Sequence, residues 1–592
     1  MQMRNKNFKL LALGTAAVII MAGVSACKKS YLEQETVGLL TEAELQSRKG
    51  ANQLLTATYA MLKGIGWEGG GSNWVYGSIV GMEANKGSDA GDQADVNPIQ
   101  QYAHLPGNNY FNVKWRAVYE GIARANATIR VASALTEADI TTAEKNQILA
   151  EARFLRGHYH FEAKKMWNNI PYVDETVKYG ESTLADVGNT GDAWPRIMED
   201  FDFARTTLDA TKTQVGRVNK WAAEAFYGKA QLFQGQYAGA LATLTNVIQN
   251  GVNSAGTKYA LAPGFSDIHN ADKENDPAVR AESVLSYEAS INDGSGGNNA
   301  NWEHILNFPH NTTADSGPGG CCGFFQPSFS FVNAFRTSGG LPLFDYAYNQ
   351  PANEVKNDMG LESATAFTPD AGPLDPRLDW TVGRRGIPFL DWGPHPGKAW
   401  IRDQGNGGPY TPMKMSYYKS QQGKLTDNTT WTRGVTAVNY KIMRFADVLL
   451  MAAEAEVEAG SLTNALGYVN QVRRRAANPA TWVKAAGGAN AANYVINEYT
   501  SFPDQAFARK AVRMERLLEL GMEGHRFFDL VRWGIAATEI NTLLAYDKPK
   551  LSAAYGSATF TAPTNNYFPI PQRQIDLQQE NGTSTLTQNP GY

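Results

Sequence analysis

YKIMRFADVLLMAAEAEVEAGSLTNALGYVNQVRRRA, residues Tyr440 to Ala476, is the stretch that decides the fold. Its apolar residues Ile442, Phe445, Val448, Leu449, Ala452 and Ala453 recur at three- and four-residue steps, the spacing of one buried helix face. Gly460 stands where that helix would end, and Ser461 offers an N-cap for the next. The second helix turns Leu462, Ala465, Leu466 and Val469 inward. Two helices joined this tightly pack antiparallel, so the stretch predicts a helical hairpin. A related hairpin lies upstream. AFYGKAQLFQGQYAGALATLTNVI (Ala225 to Ile248) aligns without gaps on Leu450 to Arg473, placing Ala230 on Ala455, Gly235 on Gly460, Ala240 on Ala465 and Leu241 on Leu466. Small residues let helix backbones approach and the Gly closes the turn, which is the spacing of tetratricopeptide repeats.

Working outward, the chain sorts into zones. Residues 1–26 read as an export signal: Arg4, Lys6 and Lys9 precede an apolar run from Leu10 to Val24, and Val24-Ser25-Ala26 leads into Cys27. That pattern resembles a bacterial lipobox, with cleavage before Cys27 and acylation of its sulfur. The alternative is a membrane-spanning anchor, but a run of about 15 residues is short of the ~20 that spanning needs. Several acyl chains on one cysteine make a stable anchor, so residues 27–40 read as a lipidated tether. Residues 41–250 are mainly helical, with helices expected at 42–62, 113–135, 142–167 and 194–208 before the upstream hairpin. Residues 251–439 are rich in Gly, Pro, Asn and aromatics, and long loops of that kind are usually functional. Residues 440–592 are again helical as far as Gly534. The soluble part exceeds the ~250–300 residues that one core usually serves, so it is either two domains or one helical scaffold with a large insertion.

A net charge of −4 with 19% charged residues leaves no basic stripe to neutralise phosphates, which argues against nucleic acid. Lipidation of Cys27 leaves the adjacent pair Cys321 and Cys322, either a vicinal disulfide formed in an oxidising compartment or two small buried thiols. HExxH and CxxC patterns are absent, so neither a metal nor a cofactor is expected. His158 and His160 fall on different helix faces, and the acidic run Asp272 to Asp276 lacks the glycine and terminal glutamate of a calcium loop. Arg513, Glu515, Arg516 and Glu519 stand at helical spacings that suit ion pairs.

Several separated motifs carry a family resemblance. Cys27 is followed by Tyr31-Leu32. Glu151 to Val173 reads EARFLRGHYHFEAKKMWNNIPYV. Asp375-Pro376-Arg377-Leu378 follows, then Met443 to Leu450 with Ala453-Glu454-Ala455, and Asn470 to Arg473. Arg513 to Gly534, Phe568-Pro569-Ile570-Pro571 and the tail Gln588-Asn589-Pro590-Gly591-Tyr592 complete the set. In this order, over nearly the whole chain, they resemble the SusD/RagB family, surface lipoproteins of Bacteroidetes nutrient-uptake systems. One departure is Val512, where the family usually has a second basic residue. The resemblance implies a mainly α fold: a superhelix of about four tetratricopeptide-like helix pairs with a large, irregular, loop-rich ligand-binding region packed on it. It implies a non-enzymatic protein, lipid-anchored at the outer membrane and exposed at the cell surface. It also implies a SusC-like TonB-dependent transporter as partner, over which this chain closes as a lid.

Sugars need flat aromatic faces for their C–H surfaces and polar groups for their hydroxyls. Three clusters qualify. Trp67, Asn73, Trp74 and Tyr76 lie in a glycine-rich loop, with Asp89 soon after. Trp302, Cys321, Cys322, Phe324 and Phe325 form the second, and a vicinal disulfide there would present a flat apolar surface. Trp392 and Trp400 mark the third. For each ring the alternative is a place in the core of the irregular part. Peptide capture is the alternative ligand reading. A surface glycoside hydrolase would need two carboxylates about 5–9.5 Å apart, and a scaffold binding only proteins is the remaining class.

Overall fold

The computed structural model describes residues 41–177, 187–311, 317–427, 429–580 and 585–592; the signal segment, Cys27 and the tether lie outside them. Helix α1 spans Arg48–Tyr59 and starts later than the apolar pattern suggests, because the Ser47 hydroxyl caps it by accepting from Gly50 N. Thr41 and Glu44, which precede it, bond to each other in a turn. Asn108 caps α2 (Asn109–Ala134) and Thr141 caps α3 (Thr142–Trp167) in the same manner. Then come α4 (Trp194–Thr207), α5 (Lys220–Phe233) and α6 (Tyr237–Asn250). The C-terminal zone adds α7 (Phe445–Ala459), α8 (Leu462–Ala476), α9 (Gln505–Leu520), α10 (Arg526–Arg532), α11 (Ala536–Asp547) and α12 (Gln572–Glu580).

From α1 to α9 each helix packs on the next, and α6 packs directly on α7 although 194 residues separate them. The two hairpins recognised in the sequence, α5–α6 and α7–α8, are therefore neighbours in one helix-pair superhelix, the stacking that such repeats need to bury their apolar faces. Their aligned glycines do different jobs. Gly235 has φ +69°, a conformation that disfavours a side chain. Gly460 has φ −137° and is small because a Cβ would collide with Leu241 of α6 and with the Glu456 carboxylate. Ser461 stands at the N-cap of α8, but its hydroxyl caps no N–H of the helix; the Glu456 carboxylate instead accepts from Ser461 N at 2.7 Å and from Asn464 Nδ2 at 2.9 Å.

The start of the deciding stretch is not helix. Tyr440–Arg444 is a buried strand, antiparallel to Ser283–Tyr287, with Tyr440 opposite Tyr287 and Arg444 opposite Ser283. Ile442 thus belongs to a strand buried on both faces, where three-residue spacing means nothing. Other strand pairs are short. Ala84–Gly87 pairs with Phe324–Pro327, and Thr426–Asp427 pairs with Val435–Thr436 across a hairpin. One continuous apolar cluster, from Ala51 to Leu586, takes residues from all three zones.

A buried hub of charge joins the loop-rich part to the helices. Arg377, Lys414, Arg444, Arg473 and Arg475 face Asp375, Glu282, Glu515, Glu519 and Glu523. Arg444 is the centre: its guanidinium donates to Glu282 Oε1 at 2.8 Å, Glu519 Oε1 at 2.6 Å and Glu523 Oε2 at 2.9 Å. Arg377 bridges Asp375 (2.8 Å), Glu515 (2.6 Å) and Glu519 (3.1 Å). Burial works to raise the Glu523 carboxyl, but Arg444 and Lys414 outweigh it and hold it well below the usual range. Five cations against five carboxylates leave no net charge to desolvate, which is the condition under which a buried network persists. The charges of α9 therefore pair with other segments rather than along their own helix. Arg516 bridges Asp447 (2.8 Å) and Asp529 (2.9 Å), and Arg513 lies 4.9 Å over the Trp533 ring.

Candidate functional site

The loop-rich part decides which aromatic rings reach solvent. Trp74 is 2% exposed and packs edge-on against Phe324 and Phe325, at ring distances of 6.3 and 5.6 Å. Tyr76 is equally buried and donates its hydroxyl to Glu68 O (2.6 Å) and Tyr110 O (2.9 Å). Asn73 sits at φ +54° and donates to Glu162. Trp400 is buried between Phe389 and His395, against Gly317. Trp67 is half-buried against the main core. These six residues (Asn73, Trp74, Tyr76, Phe324, Phe325 and Trp400) build the interior, so their expected place at a ligand surface is corrected. Phe324, Phe325 and Trp400 fill the core of a part that has only short strands, while Trp74 and Tyr76 belong to the buried helical turn Trp74–Ile79 of the first zone, which packs against Phe324 and Phe325.

Of the other expected residues, Asp89, Trp302, Cys321 and Cys322 come together, while Trp67 does not join them. Ser88 N donates to Gly323 O at 2.6 Å, which seats the Cys321–Cys322 loop on the loop that carries Asp89. Arg402 joins the two acids of that loop, reaching Asp89 Oδ2 and Asp92 Oδ2 at 2.6 Å each. The Asp92 backbone N–H, with help from the Arg402 guanidinium and the Gly91 N–H, holds the Asp89 carboxyl below its ordinary range against the opposing effect of burial. His310 packs against Gly323; burial, and then the nearby Arg402, lower its basicity. Cys321 and Cys322 are disulfide-bonded neighbours, Cys321 partly exposed and Cys322 buried.

Beside them stands the hairpin of Thr426–Asp427 and Val435–Thr436. Its Arg433 guanidinium comes within 3.4 Å of where a side chain at Gly320 would begin. Asn301 N donates to Thr436 O at 2.8 Å, bringing Trp302, half-buried with Nε1 on Gly297 O at 2.7 Å, to the same side. At the tip of the hairpin is Trp431, 62% exposed; Leu105 and Val215 are the other large apolar side chains that are exposed among the described residues. Trp431 was not among the expected residues. The signal for it is its setting: Thr429, Thr430, Thr432, Arg433 and Gly434 around it offer no apolar partner, so the ring has no core to join. Trp392 stands behind this face. It donates to Tyr417 O at 2.9 Å, while the Tyr417 hydroxyl accepts from Gly319 N under the disulfide loop.

An exposed indole, a disulfide, a guanidinium and an Arg–Asp pair suit ring stacking and hydrogen bonding to a polar ligand. Among the described residues of this face no carboxyl is raised into the range of an acid catalyst. An acid catalyst needs a raised carboxyl, and Asp89 is lowered. The carboxyls that burial raises are themselves buried: Glu83 and Glu303, raised to about 7, and Asp547, raised to about 6, accept from Met522 N, Ser72 N and Ser330 N, while Glu274 pairs with Lys441 and Asp358 faces Arg385.

Fold and face together define a helical-repeat scaffold that carries a loop-built binding surface. The sequence model of the SusD family matches residues 281–592, and a second model, described as starch-binding and associating with the outer membrane, matches residues 44–232. The chain belongs to the SusD/RagB family. It is 22% identical over 557 residues to SusD-like protein P25 of Formosa agariphila, covering 89% of this chain and 90% of that protein. The fold superposes on a SusD homologue of Bacteroides thetaiotaomicron with a TM-score of 0.68 at 21% identity, over 93% of this chain and 99% of the other. It also superposes on surface glycan-binding protein A of the same species, in complex with laminarihexaose, with a TM-score of 0.61 at 18% identity, over 92% and 99% of the two chains. Among the described residues no helix is long and apolar enough to cross a membrane.

Proposed function

We propose that this chain is a non-catalytic lipoprotein of the outer-membrane surface, anchored through Cys27. In this reading it binds an oligosaccharide or polysaccharide and delivers it to a SusC-like TonB-dependent transporter. The observation that carries the reading is the exposed Trp431 ring beside Arg433 and the Cys321–Cys322 disulfide. An indole held out of the core by a polar hairpin leaves a flat apolar face in water that a ligand can cover, and a pyranose face is a fitting cover. The fold's likeness to a laminarihexaose-bound protein supports a saccharide over a peptide. The paired, lowered Asp89 supports retention without cleavage.

Affinity electrophoresis of the mature protein against a polysaccharide panel tests this directly. Retardation by at least one glycan, with no release of reducing ends, is the expected result. Release of reducing ends would make the protein a hydrolase, and retention by peptides alone would make it a peptide carrier. Co-purification of a TonB-dependent barrel from native membranes is expected in addition.

A further inference from the structure

A second ligand-sized depression opens on the far side of the Tyr417–Tyr418 segment. Tyr417 turns toward the disulfide loop, where its hydroxyl accepts from Gly319 N at 2.8 Å. Tyr418 turns the other way, into a groove of about 400 Å³ that it shares with Trp380, Trp482, Leu390, Asn270 and the Asp267–Lys273 pair. The volume lies within the roughly 300–1,000 Å³ of small-molecule sites.

The groove is built as a platform. Trp380 and Trp482 are both half-exposed, and both indole N–H groups are engaged by backbone, at Thr481 O and Ala476 O, 2.9 Å each. Trp482 is further fixed edge-on to Tyr494 at 5.6 Å. Rings held this way lose little freedom when they stack on a ligand, so they are efficient binding surfaces. The polar complement is sparse. The Tyr418 hydroxyl and Asn270 Nδ2 have no hydrogen-bond partner among the described residues, whereas Asn270 Oδ1 is held by Gln421 Nε2 at 2.7 Å. Formal charge is largely cancelled: Lys273 Nζ is 2.6 Å from Asp267, and the Lys484 ammonium is taken up by Pro479 O and Asn490 Oδ1. Flat faces, two free polar groups and little net charge suit a neutral pyranose better than a phosphate, a carboxylate or an apolar peptide anchor.

We propose that this groove is a second saccharide subsite, taking one or two neutral pyranose units. It lies behind the wall that carries the Trp431 face, so that one long glycan, passing the half-exposed Tyr418, fills both. The inference rests on the saccharide reading above and adds a preference: polymers gain from two linked contacts, short oligosaccharides do not. Linked sites of this kind raise affinity by about 10²–10⁴-fold when the chain spans them.

The test uses isothermal titration on the mature protein, first with a panel of neutral polysaccharides and then with the trisaccharide cut from whichever polymer binds. Wild-type protein, Trp431→Ala, Trp482→Ala and the double variant are compared. Because Trp482 also packs on Val483 and Tyr494, Ala480→Arg is added, which fills the groove from an exposed position and leaves its walls intact. The expected result is that Trp482→Ala and Ala480→Arg each weaken polymer binding by about 10-fold or more and leave trisaccharide binding unchanged. The double variant then loses the residual polymer binding of Trp431→Ala. If polymer binding is the same in Ala480→Arg as in wild type, the second subsite is overturned while the first reading stands. If no glycan binds the wild-type protein, both are overturned.

Discussion

The buried charged hub and the Trp431 face are opposites in how they use their residues. In the hub most ionised groups meet partners from distant parts of the chain: Arg444 precedes α7, Glu519 stands in the last turn of α9 and Glu523 just after it, and Glu282 stands before the first strand of the loop-rich part. No one of these side chains is free to change without stranding the others. On the face the indole of Trp431 touches little and can be lost without disturbing the interior. The comparison teaches that the family's recognisable motifs hold the two parts of the fold together, whereas the exposed Trp431 face is built from residues outside every motif.

The largest effect is expected at the hub. Arg444→Ala leaves Glu282, Glu519 and Glu523 short of a cation in the interior, and breaking a buried pair from one side costs about 3–5 kcal/mol. Denaturant unfolding of Arg444→Ala should show that loss. A change within experimental error would mean the hub is more solvated than its burial indicates. Trp74→Ala belongs to the same class, with a loss of about 3–5 kcal/mol expected from the cavity it leaves among Phe324 and Phe325.

Acid should come next. Six histidines are buried and a seventh, His525, is half-buried; burial lowers their basicity, to about 4 at His104, His158, His269 and His525 and to about 3 at His160, His304 and His395. Their folded-state pKa lies below that of the unfolded chain, ~6.5, so the unfolded state takes up protons first and stability falls as pH drops from about 6.5 toward 4. Each histidine contributes up to about 2 kcal/mol of that loss between pH 6.5 and 5. Glu83, Glu303 and Asp547 act in the opposite sense, stabilising the fold at acid pH and losing that contribution as pH rises toward 6–7, but they are fewer. Below about pH 4.5 the lowered carboxyls of the hub, Glu519 and Glu523, add to the acid loss. Melting temperature should therefore decline steadily from pH 7 to pH 4.5, and a flat profile would contradict the buried neutral histidines.

On the face the stability effects should be small. Reducing Cys321–Cys322 opens a ring between adjacent residues, which constrains almost nothing in the unfolded chain. Melting should barely move, while glycan affinity weakens by a few-fold as the flat surface next to Arg433 is lost. A large drop in melting with unchanged affinity would place the disulfide in the hub's class instead.

Much of the scaffold was legible in the sequence. The spacing at Phe445, Val448 and Leu449, and the recurrence of Ala455 and Ala465 as Ala230 and Ala240, mark helix pairs because a stacked helix exposes its pattern directly. The strand at Tyr440–Arg444 was not legible as such, since a segment buried on both faces has no period to read. The ligand face was legible only in part. Asp89, Trp302, Cys321 and Cys322 meet there, but Trp74, Tyr76 and Trp400 are chemically identical candidates that the fold turns inward. Which ring faces solvent depends on which loop packs over it, and that is settled by contacts hundreds of residues apart. Trp431 differs only in its polar surroundings, a weak mark in a single sequence.

The most direct test of the division between hub and face is Trp431→Ala, measured by calorimetry in two ways on the same preparation. The account predicts melting within about 0.5 kcal/mol of wild type, as for other surface substitutions, together with at least a tenfold loss of affinity for the glycan that wild-type protein binds. Unchanged affinity, or a loss of affinity that comes only with a loss of stability, would contradict the placement of the ligand at this face.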